Sequence, residues 1–170
     1  MLPIDHVTPP PPPPGLHPAL LRGCPPEEGW FKLNVDDSLR AVDYLVGPGA
    51  VVKDSNRLFM AGLSGKLISS ISIEMAEASA ILNGLHLAIE SGFSRLIVES
   101  DALSIIKYLS SPIAPLSEVG LIIADIIALS SRATVKFSFV PRIANSVAHS
   151  LARFSFSISN VCIWLEDAPS

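Results

Sequence analysis

At 170 residues the chain has room for one domain and a tail. Hydrophobic residues make up 49% and charged residues 16%, which excludes a disordered chain and supplies a core. The net charge of −4 provides no global field to draw in nucleic acid, so any such binding must rest on a local basic patch.

Cys24 and Cys162 have no metal-ligand spacing and no flanking redox motif, as expected of a reduced intracellular protein. The start of the chain carries Asp5 and a proline run, not a basic region followed by an apolar one. No secretory signal is expected there. The most apolar later run, Leu121 to Leu129, is broken by Asp125 and is about half the length of a membrane helix. A soluble monomer with no membrane partner is expected. Nothing in the sequence chooses between nucleus and cytoplasm.

In chain order, residues 1–29 read as a proline-rich disordered tail. Pro9 to Pro14 favours polyproline II, which suits an SH3- or WW-type partner but more often serves only as a spacer. The domain spans 30–157, and 158–170 read as a C-terminal tail. Trp30 to Val35 alternates as a strand, with Phe31, Leu33 and Val35 against Lys32 and Asn34. Tyr44 to Val52 is a second strand, with Gly47-Pro48-Gly49 as an irregularity. After turn chemistry at residues 53–56, Leu58 to Leu67 is a third, which predicts an antiparallel meander.

The period changes after Ser72. Met75, Ala78, Leu82, Leu85 and Ile89 recur at helical spacing, and Gly92 is a natural stop. Leu96-Ile97-Val98 reads as a short buried strand. Helices follow at Ala102 to Leu109 and Ser117 to Ser130, then a strand at Thr134 to Val140. A last helix runs from Arg142 to about Phe156. This order predicts an α/β domain, a mixed sheet flanked by helices.

Three carboxylates stand at informative places. Asp36 ends the first strand, Asp101 follows the fourth, and Glu77 lies in the first turn of the long helix. If the two strands are parallel neighbours, both aspartates emerge at one sheet edge, where α/β proteins place their sites. Clustered carboxylates raise one another's pKa unless a cation neutralises them, and hard oxygen ligands suit Mg²⁺ or Mn²⁺. The same residues also fit ordinary roles: Asp101 as an N-cap, Glu77 as a macrodipole partner, Asp36 and Asp37 as solvated turn residues. On the last helix Ile143, Val147 and Leu151 share one side. Arg142, Asn145 and His149 share another, which reads equally as a site face or a solvated one.

Four segments carry a resemblance: Trp30 to Asp36, Ala76-Glu77-Ala78-Ser79-Ala80, Val98-Glu99-Ser100-Asp101, and Val140 to Ala152. In this order they resemble the plant-type ribonuclease H-like domain, the reverse-transcriptase-like domain found alone or at the end of non-LTR retrotransposon polyproteins. The resemblance covers roughly residues 30–157. It implies a ribonuclease H-like fold, with a five-stranded mixed sheet, a three-strand meander and helices on both faces. It also implies a Mg²⁺-dependent (or Mn²⁺-dependent) endonuclease that cleaves the RNA strand of RNA–DNA hybrids with two ions. Asp36, Glu77 and Asp101 match the metal-binding carboxylates, His149 the fourth catalytic position, and Asn145 and Arg142 polar residues expected to touch substrate.

Three features depart from that pattern. Asp37 stands where glycine is common, His149 replaces a carboxylate, and the basic extension that grips the hybrid in bacterial members has no counterpart. They keep a second reading alive: a catalytically weak or inactive retrotransposon remnant serving as a nucleic-acid-binding or interaction module.

Overall fold

The computed structural model describes residues 24–68 and 72–165; the proline run Pro9–Pro14 lies outside them. Strands β1 (Phe31–Arg40), β2 (Leu45–Lys53) and β3 (Phe59–Ser64) form the expected antiparallel meander. Asp54 builds the β2–β3 turn, its Oδ1 accepting the N–H groups of Asn56 and Leu58 at 2.8 Å each. A two-residue strand, β4 (Leu67–Ile68), pairs back onto β2.

Helix α1 (Ile73–Glu90) begins where the apolar period changes. Ser72 caps it, its Oγ accepting the N–H of Met75 at 3.2 Å. It ends in a Schellman closure. Gly92 takes φ +90°, its N–H reaches the Ile89 carbonyl, and that of Phe93 reaches Ala88. Strand β5 (Arg95–Ser100) then runs parallel beside β1. Helices α2 (Leu103–Leu109) and α3 (Glu118–Ser130) lead to β6 (Thr134–Phe139), parallel beside β5. A 3-10 turn, Arg142–Asn145, precedes α4 (Ser146–Phe154).

The main core lies between the sheet and α1 to α3, with Leu33, Val35, Ile81, Leu85, Ile105 and Ile123 fully buried. Burying each such side chain contributes about 1.5–3 kcal/mol. A smaller core, built on Val51, Val147, Leu151 and Trp164, lies under α4 on the other face. Glycines set how close the helices come. A Cβ on Gly49 would stand 2.3 Å from the Ala152 nitrogen and 2.4 Å from the Ala148 carbonyl oxygen, so α4 rests directly on β2. On the opposite face a Cβ on Gly84 of α1 would lie 2.5 Å from Val35 Cγ1.

Two expectations need correction. The sheet has seven strands, six in the order β6-β5-β1-β2-β3-β7 and the two-residue β4 beside β2, where the resemblance implies five. The extra edge strand β7 (Cys162–Leu165) comes from the segment read as a C-terminal tail. Cys162 and Trp164 point inward while Ile163 and Leu165 point out, an alternation too short to separate from a tail without its partner β3. The last helix is also not one continuous α-helix. Its first four residues wind as a 3-10 turn, whose tighter pitch rotates them against the helical wheel. Ile143, placed by that wheel on the apolar side, is 70% exposed, and Asn145, placed on the polar side, is 1% exposed.

Candidate active site

Register brings the first two carboxylates together. In the parallel pair β1–β5, Asn34 faces Glu99, so Asp36 and Asp101, each two residues further on, emerge at the same end of adjacent strands. Asp36 lies inside β1, not at its end, because β1 continues to Arg40 against β2. Asp101 sits between β5 and α2. It does not cap α2: that position is Ala102, whose N–H is taken by Ser100 Oγ at 3.1 Å. The Asp101 carboxylate is therefore left to face the cleft.

Glu77 reaches the same cleft from α1. It lies in the second turn of that helix, and the first-turn acid is Glu74. The glycine contact at Gly84 holds α1 close over β1 and so aims Glu77 at Asp36. The resulting cleft of about 310 Å³ is lined by Asp36, Asp37, Glu77, Asp101, Arg142 and His149, with Leu39 and Ile73 as an apolar wall. Five of the six residues expected at a site thus meet. Asn145 does not line the cleft. Its Nδ2 donates to the Val35 carbonyl at 2.7 Å and its Oδ1 accepts from Asn34 Nδ2 at 3.2 Å. It locks the 3-10 turn onto β1 and holds α4 in register above Asp36.

Helix α4 sets His149 over the sheet, with Nδ1 2.7 Å from Asp36 Oδ2. The other oxygen, Oδ1, accepts the backbone N–H of Asp37 at 2.9 Å. Arg142 stands more loosely, its Nε 3.7 Å from Asp101 Oδ2 and its side chain largely exposed.

Electrostatics mark the cleft as short of positive charge. Burial pushes the Asp36 carboxyl above its ordinary range, and the charge of Asp101 adds to this, while the His149 bond works against it. Glu77 is raised by burial and by Asp101, Glu74 and Asp36. Asp37 is pushed up to about 7 by burial and by the charges of Asp36, Glu77 and Asp101. Among the described residues no three acidic, imidazole or thiol groups already converge on one point. The donor set, four carboxylates in one cleft with the ionised forms of Asp36, Asp37 and Glu77 disfavoured, fits a hard divalent cation, which would relieve the repulsion. Asp37 enters as a fourth carboxylate of the cleft. The sequence signal for Asn34, by contrast, was only its place on the polar side of β1.

Fold and cleft together define the ribonuclease H-like class: parallel β1 and β5, the meander, and acidic residues from β1, α1 and the end of β5. Solved structures agree. The N-terminal RNase H domain of rv2228c from Mycobacterium tuberculosis superposes with TM-score 0.68 at 21% identity, covering 75% of this chain and 94% of that one. RNase H1 from Halobacterium salinarum does so with TM-score 0.70 at 18% identity, over 75% and 98%. LC11-RNase H1, solved in complex with an RNA/DNA hybrid, gives 0.67 at 16%, over 75% and 96%. At these identities the likeness shows the fold. The family model described as reverse transcriptase-like matches residues 34–155, and the chain belongs to that family. A curated relative in Arabidopsis thaliana, named "Putative ribonuclease H protein", is 31% identical over 134 residues. That match takes in 77% of this chain but only 21% of the relative, so the chain spans about a fifth of that protein.

Proposed function

We infer that the domain is a divalent-metal-dependent ribonuclease H that cleaves the RNA strand of RNA–DNA hybrids. The observation that carries this reading is the single cleft in which Asp36, Glu77 and Asp101 meet, each from a different element. Two Mg²⁺ or Mn²⁺ ions held by these carboxylates would supply water activation and stabilise the leaving oxygen. The protein's own groups have distinct tasks. Asp36 and His149 share a proton between Oδ2 and Nδ1, so the imidazole can hold or pass a proton at the cleft floor. Arg142, loosely paired and exposed, can turn from Asp101 to a substrate phosphate.

The second reading is a weakly active or inactive nucleic-acid-binding module. It is favoured by Asp37, which adds a further carboxylate where a phosphodiester must enter, and by His149 engaging an oxygen that a metal would use. One assay separates the two. A labelled RNA–DNA hybrid is incubated with the protein in Mg²⁺, in Mn²⁺ and in EDTA. Metal-dependent RNA-strand cleavage supports the enzyme; binding without cleavage in either metal supports the module.

A further inference from the structure

The sheet face away from α1 carries a row of cations. Leu33 and Val35 of β1 enter the core against α1, so Lys32 and Asn34 point the other way. Cross-strand register then sets Lys136, Ile97, Lys32 and Lys53 side by side across β6, β5, β1 and β2. Lys32 and Lys53 are buried; Lys32 donates to Glu99 Oε1 at 2.8 Å and to the Cys24 carbonyl. Arg95 and Lys136, at the β5–β6 end, are exposed.

These two cations are held differently from the ion-paired ones. Arg40 pairs with Asp43, Arg132 with Glu90, Arg142 with Asp101 and Lys32 with Glu99. Arg95 and Lys136 have no carboxylate partner among the described residues. Both lie over the ring of Trp30, at 5.3 Å and 4.2 Å from its centroid. An aromatic ring attracts a cation through its quadrupole and carries no net charge. Trp30 therefore orders two positive groups side by side and leaves their charge for an anion. On a chain of net charge −4, this is a local positive patch of the kind nucleic-acid binding requires.

We propose that Trp30, Arg95 and Lys136 form a second nucleic-acid contact, in which Arg95 and Lys136 hold backbone phosphates of the strand that enters the acidic cleft. Trp30 immediately precedes β1 and lies six residues before Asp36, a separation of about 20 Å at 3.3 Å per residue. That is about six base pairs of duplex at 3.4 Å per step. The contact supplies the grip that the chain lacks for want of a basic extension. It rests on the reading of the partner as nucleic acid, but not on catalysis.

The test is fluorescence anisotropy of an 18-base-pair labelled RNA–DNA hybrid in EDTA, between 50 and 200 mM salt. Wild type is compared with the double variant Arg95→Gln/Lys136→Gln. Both side chains are exposed, and an unchanged melting temperature verifies the fold. The variant is expected to bind about tenfold more weakly, with a log–log salt slope smaller by about two. Unchanged affinity and slope overturn the proposal, whether or not the wild type cleaves the hybrid. A loss of binding in the variant supports it even if the wild type never cleaves. Displacement of the hybrid by polyglutamate as readily as by unlabelled hybrid assigns the patch to acidic peptides and overturns it.

Discussion

His149 Nδ1 stands 2.7 Å from Asp36 Oδ2, so an imidazole from α4 and a carboxylate from β1 share one proton at the floor of the cleft. An ion bound at Asp36 competes with that contact for the same oxygen. His149 then serves best as a positioning and proton-holding group. His149→Asp is expected to retain activity, and His149→Ala to lose about tenfold, the low end of what a group acting beside the metal ligands costs. Parallel rates of hybrid cleavage check this. A His149→Ala loss as deep as that of Asp36→Asn contradicts it.

The carboxylate cleft should respond to metal directly. Mn²⁺ or Mg²⁺ at one hundred times its dissociation constant is expected to add about 2.7 kcal/mol of stability. For a chain of this size that raises the melting temperature by roughly 5–10 °C. Asp101→Asn should remove most of the gain. Thermal melts with and without millimolar Mn²⁺ read this, and a melting temperature indifferent to Mn²⁺ argues against a metal site.

Asp37 gives the metal-free protein a pH dependence of unusual sign. Its folded-state pKa is raised from an ordinary carboxylate value to about 7 by burial and by its acidic neighbours. The folded state therefore binds the proton more tightly than the unfolded chain does. That stability is fully present below pH 4 and is lost as the pH climbs through about 7, amounting to roughly 4 kcal/mol at most. Asp36 and Glu77, both raised, act in the same direction. Urea midpoints in EDTA should fall between pH 5 and pH 8, and less steeply in Asp37→Asn. Identical slopes in the two proteins contradict the assignment.

Gly49 pairs with Asp36 across β1–β2 and meets α4 at Ala148 and Ala152. Gly49→Val is expected to push α4 off the sheet at a cost of about 1–3 kcal/mol, and to break the His149–Asp36 contact. The imidazole resonance of His149 in NMR titrations reports the contact independently of stability. A Gly49→Val protein with wild-type stability and an unmoved resonance counts against this packing.

Much of this was legible in the sequence because it rests on local pattern. The period change at Ser72, the stop at Gly92 and the strand alternation at Phe31, Leu33 and Val35 each appear in the structure at or near the expected residue. The convergence of Asp36 with Asp101 followed once β1 and β5 were taken as parallel neighbours. What local pattern cannot show is where a long-range partner acts. β7 exists because β3 offers an edge, and Asn145 turns inward because Val35 and Asn34 offer it hydrogen bonds. The 3-10 winding of Arg142–Asn145 broke the helical wheel that placed Asn145 beside His149.

The most direct test is cleavage of a labelled RNA–DNA hybrid by wild type and by Asp36→Asn, in parallel, with Mg²⁺ and Mn²⁺ at pH 7 to 8. Asp36 links β1 to three other groups of the cleft: it bonds to His149 and to the Asp37 N–H, and it feels the charge of Asp101. The account predicts metal-dependent cleavage by the wild type and almost none by Asp36→Asn, with both proteins folded. Equal cleavage by the two proteins contradicts it.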